Sequence, residues 1–326
     1  MNAVDHNNVV IFDDRGIPSI MCRFVRPKDT EEVPAVFKIG DKVADAIYIS
    51  KYPNIVIDGR AYSMPMADPT VNITFDEAVQ ACRCKGLGWH LMTAVEYEYL
   101  LNQSREKGTM PHGNTDWGKD YYHNEEQGKV SNLGRTYTGT GPVTWNHDHT
   151  PYGVSDLNGN VWEWLAGLRI KDGVIEFIPG NKAASPYCDL SKDSTEWQQA
   201  ETSKGPVRAN VECGEITITD AVAADDYEPN YDGVRIEELE VKLSEIPQVL
   251  KDLGIIPDKR AEEEGKTYVY FDATEGEYLP LRGSAFYRTS GSGPSALALN
   301  AARSGSAVSI GFRSAFYEVN GKLITE

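Results

Sequence analysis

Apolar and polar residues alternate along the first 65 residues in the way that β-strands require. Residues 9–12 and 20–25 are apolar runs separated by a turn sequence at 13–16, so residues 1–34 are predicted to form a small hairpin extension. Between residues 35 and 65, apolar side chains repeatedly recur at every second position and predict further short strands. The main domain, 35–326, is therefore expected to begin after this hairpin.

Two helices with capping boxes are predicted next. Thr74 precedes Glu77 by three residues, and Thr93 precedes Glu96 by three residues. At this spacing a hydroxyl and a carboxylate satisfy the free backbone N–H groups of a first helical turn. Apolar residues recur at helical spacing after each cap, and Gly86 is expected to end the first helix.

Residues 110–161 show little periodicity and are rich in Gly, Asn, Asp, Tyr and Trp. This composition predicts long ordered loops. Long loops inside a compact domain are frequently functional, so a functional role is expected here.

An acidic insertion is predicted at about 168–278. It contains one amphipathic stretch, 246–253, which is expected to form a helix docked on the core. Residues 268–271 are strand-like and are expected to return the chain to the main fold. The tail, 312–324, is expected to form a further strand with a hairpin turn at Asn320-Gly321.

Composition narrows the function. The 326 residues are 40% hydrophobic, which is ordinary for a globular protein, and they carry a formal net charge of −17. This charge repels phosphate backbones and anionic lipid, so neither nucleic-acid binding nor membrane insertion is expected. The first residues lack the pattern of a secretory signal, and a mature start near Met1 is expected.

The five cysteines are expected to be reduced thiols that mostly fill the core. They are Cys22, Cys82, Cys84, Cys188 and Cys213, an odd number. A redox pair at Cys82 and Cys84 is the alternative. The two side chains diverge on the predicted helix, which favours packing.

Three sequence blocks carry a resemblance to a known family. Residues 88–99 read Gly-Trp-His-Leu-Met-Thr-Ala-Val-Glu-Tyr-Glu-Tyr, and residues 152–164 end in Asn-Gly-Asn-Val-Trp-Glu-Trp. Leu281-Arg-Gly-Ser is followed by Ala-Ala-Arg at 301–303 and Gly-Phe-Arg at 311–313. In this order they resemble the G-Y-R-L-P-T-E-A-E-W-E-Y, G-N-V-W-E-W, R-G-G-S, A-x-R and G-F-R elements of the formylglycine-generating enzyme, or sulfatase-modifying factor, superfamily.

The resemblance implies an α+β, C-type-lectin-like fold of the formylglycine-generating-enzyme type. Such a fold is loop-rich and has two helices around twisted antiparallel sheets. Physical arguments favour the same residues as scaffold anchors, because Asn-Gly-Asn can turn tightly at positive φ and Arg313 can reach a buried carboxylate with a planar fork. The expected anchors are Arg282, Gly283, Ser284, Arg303, Gly311, Phe312, Arg313, Trp162 and Trp164.

The residues needed for the family's oxidase chemistry are missing. In the enzyme that the resemblance points to, two cysteines downstream of R-G-G-S bind copper. Here no cysteine follows Cys213, Tyr287 stands at the first position, and the second falls within 290–292, where no soft copper ligand occurs. A related iron branch uses histidines from an added domain, and the insertion contains none. No catalytic residue and no required cofactor are therefore expected.

The segment from Ser284 to Ile310 has a restricted alphabet. Lys, Glu, Gln, Met and Trp are absent from it. Codons of the A-A-C type that are randomised at their adenines all end in C and cannot encode these five residues. The segment, about 282–313, therefore resembles the variable region of diversity-generating retroelement variable proteins. In such proteins a C-terminal part of a C-type lectin fold is rewritten while the anchors stay fixed.

The hypothesis is a ligand-binding protein with a variable C-terminal face. Its partner is expected to be a protein or glycan receptor on a bacterial cell surface. A phage virion or a bacterial surface is the expected location, and an oligomer is possible. The alternatives are a flexible Ser/Gly/Ala-rich loop, an undiversified binding module, a structural virion subunit, and an oxygen- and metal-dependent modifying enzyme. The expected ligand-binding residues are Ala285, Phe286, Tyr287, Thr289, Ser290, Ser292, Ala296, Ala298, Leu299, Ser304, Ser306, Ala307 and Ser309.

The sequence contains two candidate metal sites. The resemblance implies structural calcium at the Asn-Gly-Asn turn, through Asn158, Gly159, Asn160, Val161 and Glu163; a hydrogen-bonded turn without metal is the alternative. His147-Asp148-His149 offers two zinc ligands without further ligands at suitable spacing, so loop surface is favoured there.

Overall fold

The computed structural model describes residues 6–223 and 227–323, and within these ranges the predicted α+β class is confirmed. Residues 1–5 of the predicted extension, 224–226 of the predicted insertion and 324–326 of the tail lie outside the described residues. None of the described helices is long and apolar enough to cross a membrane. The helices are α1 (Phe75–Arg83), α2 (Ala94–Lys107) and α3 (Gln248–Asp252). The strands are β1 (His6–Phe12), β2 (Pro18–Val25), β3 (Lys38–Ile39), β4 (Lys42–Val43), β5 (Ala46–Ser50), β6 (Ile55–Ile57), β7 (Arg60–Tyr62), β8 (His90–Leu91), β9 (Trp162–Trp164), β10 (Leu168–Lys171), β11 (Val174–Phe177), β12 (Gln198–Gln199), β13 (Glu201–Thr202), β14 (Gly205–Pro206), β15 (Arg208–Glu212), β16 (Glu215–Thr219), β17 (Tyr231–Arg235), β18 (Glu240–Lys242), β19 (Tyr268–Asp272), β20 (Glu277–Arg282), β21 (Leu297–Ala302), β22 (Ile310–Phe312), β23 (Ser314–Val319) and β24 (Lys322–Leu323).

Both predicted capping boxes are present and fix the starts of α1 and α2. The Thr74 hydroxyl accepts a hydrogen bond from the Glu77 backbone N–H at 3.3 Å, and the Glu77 carboxylate accepts one from the Thr74 N–H at 2.8 Å. Thr93 and Glu96 pair in the same way at 3.2 and 2.8 Å. Gly108 ends α2 at a φ of 65°, a conformation that glycine adopts without strain.

The first sheet joins the beginning and the end of the described chain. Its strand order is β1-β2-β5-β23-β24, with β8 paired to β23. β1 and β2 form a hairpin over the region where the sequence predicts one, and β2 continues the sheet by pairing antiparallel with β5. β23 turns at Asn320-Gly321 into β24, as the sequence predicts.

The second sheet holds β10, β11, β12 and β15 to β19 together with β9, β20, β21 and β22, whereas β13 and β14 form a separate two-stranded sheet. The order of the second sheet is β17-β19-β21-β20-β10-β11-β15-β16-β18, with β12 paired to β11 and β9 paired to β20 and β22. The first sheet is antiparallel, as expected, but the second sheet is mixed, because β19 and β21, β16 and β18, and β9 and β22 run parallel. Parallel neighbours need long crossover connections, and the long segments between these strands supply them.

The main core cluster packs α2 and α3 against strands of both sheets. α3 covers only part of the predicted helix at 246–253, but it docks on the core as expected and buries Leu250 and the following Leu253. The Trp164 ring is fully buried, meets Phe75 of α1 edge-on at 6.0 Å, and donates its indole N–H to the Ile73 carbonyl at 3.0 Å. β9 is therefore held between the helices and the C-terminal strands.

Candidate functional site

A fully buried ion pair fixes the end of the C-terminal segment. The Arg313 guanidinium donates to both carboxylate oxygens of Glu163, at 2.6 and 2.5 Å, and to the Ser50 and Ser155 carbonyls at 3.0 and 3.1 Å. The side chains of Arg313 and Glu163 are 0% and 1% exposed. β22, which ends at Phe312, is thereby tied to β9.

Two further arginines fix the start and the middle of the segment. Arg282 donates to the buried Glu98 carboxylate at 2.9 Å. Arg303 reaches Glu277 at 2.7 and 2.9 Å and Asp76 at 2.7 Å. Each of these arginines thus bonds to carboxylates of other elements of the fold.

Close backbone approach explains the glycines among the predicted anchors. A Cβ on Gly311 would lie 2.9 Å from the Thr70 carbonyl oxygen, and one on Gly283 would lie 2.6 Å from the Leu157 carbonyl oxygen. Gly283 also has a φ of 88°, which other residues rarely adopt. Ser284 follows it and donates its hydroxyl to Ser292 at 2.9 Å.

The predicted ligand-binding positions divide into a buried and an accessible set. Residues 297–302 form β21, which is paired on both sides by β19 and β20, so much of the segment is an interior strand. A buried side chain offers no surface to a partner, so ligand contact by the buried set is not possible in this structure. The buried set is Ala285, Phe286, Ser292, Ala296, Ala298, Leu299 and Ser309. The accessible set is Tyr287, Thr289, Ser290, Ser304, Ser306 and Ala307.

Tyr287 belongs to a larger exposed surface, which we call the aromatic face. The exposed fractions of its outermost rings are 58% for Trp117, 52% for Tyr122, 42% for Tyr121 and 38% for Tyr287. Tyr268 and Tyr270 of β19 add two half-buried rings that stack at 5.8 Å. The aromatic face consists of Trp117, Tyr121, Tyr122, Tyr268, Tyr270, Tyr287 and Arg288.

The loop at 110–161 and the C-terminal segment build this face together. The buried Phe286 ring meets the Trp117 and Tyr287 rings edge-on, each at 5.0 Å. The Trp117 backbone N–H donates to the Phe286 carbonyl at 2.7 Å, and the Tyr122 hydroxyl donates to the Ser290 carbonyl at 2.9 Å. Phe286 is thus a support beneath the face.

Three cations lie on the tyrosine rings of the aromatic face. In the part of the chain that the structure describes, Arg288, Arg235 and Lys266 form no ion pair, whereas the anchor arginines all meet carboxylates. Burial raises the pKa of the Tyr270 hydroxyl, so the phenol stays neutral beneath its cation. The distances from cation to ring centroid are 4.8 Å for Arg288 over Tyr270, 5.9 Å for Arg235 over Tyr268 and 5.9 Å for Lys266 over Tyr122.

Sequence reasoning missed most of the aromatic face. It identified Tyr287, but not the tyrosines of β19, the loop aromatics or Arg288. The alternation Tyr268-Val269-Tyr270-Phe271 places both tyrosines on one side of a strand, and this pattern was available in the sequence. The approach of the loop to residue 287 depends on tertiary contacts between distant segments and had no local signal.

Two of the side chains predicted to bind calcium, those of Asn160 and Glu163, are held by hydrogen bonds. Gly159 and Asn160 take positive φ, as expected. Both Glu163 oxygens are bound to Arg313, and the Asn160 side-chain oxygen accepts from the Thr136 N–H at 2.8 Å and from the Asn114 amide at 3.1 Å. The Glu163 carboxylate is therefore paired with Arg313, whereas the Asn158 side-chain oxygen has no partner among the described residues, and calcium at this turn stays a prediction.

The segment His147-Asp148-His149 is not the loop surface that the sequence favours. His147 and Asp148 are buried, and the His147 Nδ1 accepts from the Val154 N–H at 2.8 Å. His149 contacts the Met110 carbonyl through Nε2 at 3.1 Å. Long loops that fold over one another bury this polar segment. Within residues 6–223 and 227–323, no cluster of three or more His, Cys, Asp or Glu side chains is placed to hold a metal ion.

The cysteines are free thiols, and Cys82 and Cys84 do not form a pair. Cys82 is buried within α1, and Cys84 lies at its C-terminal cap. Burial raises the pKa of the Cys22 thiol to about 12 and that of Cys188 to about 11, which keeps both protonated and unreactive.

Comparison with known proteins supports the fold predicted from the sequence. Residues 51–207 match the sulfatase-modifying factor enzyme 1-like domain family. The formylglycine-generating enzyme of Mus musculus is 36% identical over 105 residues, which cover 30% of this chain and 27% of that enzyme. The chain thus spans about a quarter of this curated relative. The part that matches the family contains α1, α2 and β9 and ends before the C-terminal segment. Together with the observed helices and sheets, this match confirms the predicted α+β, C-type-lectin-like fold.

Solved structures give more distant likenesses. The structure of PvdO from Pseudomonas aeruginosa has a TM-score of 0.38 and 14% identity, covering 95% of this chain and 98% of that chain. The Major Tropism Determinant I1 variant has a TM-score of 0.35 and 11% identity, covering 98% of this chain and 74% of that chain. Likenesses of this size do not bear on function.

Proposed function

We propose that the chain is a binding protein whose aromatic face recognises a macromolecule on a cell surface. The observation that carries this proposal is a surface group of six aromatic rings, four of them exposed, with cations that form no ion pair within the described residues. Tyr, Trp and Arg are enriched at the centres of protein interfaces. Their rigid rings supply contact area at little cost in conformational entropy.

The charge of the face supports a partner with acidic groups. The chain carries a formal net charge of −17, yet Arg288, Arg235 and Lys266 stand unpaired on one surface. A partner carboxylate, sulfate or phosphate could pair with them without first breaking an internal ion pair. The surrounding negative charge would repel acidic partners that approach elsewhere.

We further propose that the exposed part of the segment is diversified by a retroelement. The restricted alphabet between Ser284 and Ile310 supports this, and the accessible positions that could vary freely are Tyr287, Thr289, Ser290, Ser304, Ser306 and Ala307. The genomic DNA tests it: an imperfect repeat of this coding segment that differs at adenines should lie beside a reverse transcriptase gene. A genome without such a repeat would exclude diversification and leave binding untouched. The proposed location on a virion or a bacterial surface rests on the same reasoning.

Binding itself is tested by substitution. Tyr287→Ala and Arg288→Ala should each weaken attachment of the purified protein to target cells by about tenfold or more, the loss typical of a central interface residue. Tyr187→Ala is the matched control, because Tyr187 is 75% exposed and lies outside the aromatic face. Attachment that is equal for all three variants would refute recognition by this face and would favour a structural virion subunit.

The family match favours one alternative, an oxygen- and metal-dependent modifying enzyme. The match ends at residue 207, and no cysteine follows Cys213 to act as a copper ligand in the C-terminal segment. The alternative requires stoichiometric copper or iron in the purified protein. Elemental analysis that finds either metal at one equivalent would replace the binding proposal.

A further inference from the structure

A second concave site lies beside the aromatic face. It is a cavity of about 260 Å³ between the loop at 110–123 and residues 292–294 of the C-terminal segment. Pro111 and Pro294 form apolar parts of its wall, and Asn158, His112, His123 and Glu263 form polar parts.

Asn158 lines this cavity and carries a buried side-chain oxygen without a hydrogen-bond partner among the described residues. Its side chain is 93% buried, since the residue is 7% exposed. The amide N–H donates to the Pro111 carbonyl at 3.1 Å, which fixes the orientation of the amide, and the Oδ1 atom has no hydrogen-bond partner. Buried polar atoms are nearly always paired, so this oxygen marks a position for a hydrogen-bond donor.

Two stacked histidines add further acceptors. The His112 and His123 rings lie 3.6 Å apart with an interplanar angle of 6°. His112 Nδ1 meets the Glu126 carboxylate at 3.0 Å, and His123 Nδ1 meets Asp120 at 3.2 Å. A carboxylate accepts, so in the neutral imidazoles Nδ1 carries the proton and Nε2 remains an acceptor.

The carboxylates that line the cavity are those of Asp120, Glu263 and Glu264, and Glu264 is paired with Arg105. Glu263 is exposed and forms no ion pair within the described ranges, and Asp120 also lines the cavity. No lysine or arginine is among the described lining residues. A group that both donates several hydrogen bonds and carries positive charge fits these surroundings.

We propose that this cavity binds a primary ammonium group carried on a short apolar stem. Asn158 Oδ1 accepts one N–H, the imidazole Nε2 atoms and the Glu263 carboxylate are the further acceptors, and the proline rings contact the stem. An ammonium has three donors and no acceptor, which complements a wall of acceptors. The group can come from an amino sugar or from a lysine side chain. The cavity shares Tyr122 with the aromatic face, but the proposed acceptors Asn158, His112, His123 and Glu263 do not belong to that face.

The test uses propylammonium chloride as the probe, with 1-propanol and sodium propionate as matched neutral and anionic compounds. Titration followed by NMR of the imidazole C–H resonances at pH 8 should show saturable shifts with propylammonium alone. Equal shifts with 1-propanol, or no shift with propylammonium, would overturn the proposal. Glucosamine and Nα-acetyl-lysine amide then distinguish the two sources, and binding of either supports the site.

Two variants locate the binding without disturbing the fold. Glu263→Gln should weaken propylammonium binding by about twofold to fivefold, the range of an exposed ion pair. Glu262→Gln is its control, because the neighbouring Glu262 is exposed and does not line the cavity. His123→Phe keeps the ring stack and removes Nε2, and it should also weaken binding while the melting temperature stays unchanged. Binding that is unaffected by Glu263→Gln and His123→Phe would place the amine elsewhere and overturn the assignment.

Discussion

Replacing Arg313 by methionine tests how the C-terminal segment is fixed to the scaffold. The substitution keeps the approximate length of the side chain and removes its charge and donors. It leaves the Glu163 carboxylate buried without a cation, and the Ser50 and Ser155 carbonyls without their donor. The structure therefore predicts a loss much larger than that of a surface ion pair.

The size of the loss follows from burial. Removing one partner of a buried ion pair typically costs about 3–5 kcal/mol, because the remaining charge stays desolvated. Exposed pairs contribute about 0–1 kcal/mol. Arg313 is 0% exposed and binds both Glu163 oxygens, so the loss expected is that of a buried ion pair.

The assay is denaturant unfolding of Arg313→Met, Glu163→Leu and the double variant. The free energy of unfolding should fall by about 3–5 kcal/mol in Arg313→Met. The free energy of unfolding should fall less in the double variant than the sum of the losses in the two single variants, because the double variant contains no uncompensated buried charge. A loss below about 1 kcal/mol in Arg313→Met, or strict additivity in the double variant, would refute this account of the segment.

Three further predictions concern the scaffold. Gly311→Ala places a Cβ 2.9 Å from the Thr70 carbonyl and should lower the free energy of unfolding by about 1–3 kcal/mol in a denaturant titration; an unchanged midpoint would contradict the close approach. Burial raises the pKa of Asp156 from 3.8 to about 6, so its charged form is disfavoured in the folded state. The free energy of unfolding of the wild type should therefore fall by about 2–3 kcal/mol relative to that of Asp156→Asn as pH rises from about 4 to about 7. Parallel pH profiles of the two proteins would contradict a raised pKa of Asp156. Ala285→Tyr overfills a buried position, whereas Ser304→Tyr adds the same ring at an exposed one; thermal melting should fall sharply only for Ala285→Tyr, and equal melting would contradict the division into buried and accessible positions.

Local sequence signals predicted the local structure well. The Thr74 and Thr93 capping boxes, the Asn320-Gly321 turn and the strand at 268–271 are all present, because each depends on neighbours within a few residues. The anchors Arg282 and Arg313 were identified by resemblance, and their buried carboxylate partners became visible only in the structure.

Tertiary pairing explains what the sequence could not show. The Ser/Gly/Ala-rich segment is compatible with a flexible loop, and pairing with β19 and β20 makes its part Leu-Ala-Leu-Asn-Ala-Ala at 297–302 an interior strand. Trp117 lies 170 residues before Tyr287 in the chain, and Phe286 brings the two rings together. The stacked His112 and His123 likewise depend on how the loop folds over itself.

Hydroxyl-radical footprinting of the protein bound to its target cell envelopes tests the central claim most directly. Trp117, Tyr122 and Tyr287 are exposed and should each lose most of their oxidation on binding, because the partner covers the aromatic face. Tyr187, the most exposed tyrosine of the described chain at 75%, should be oxidised equally in the free and bound states. Protection of Tyr187 with unchanged oxidation of Trp117, Tyr122 and Tyr287 would contradict recognition by the aromatic face.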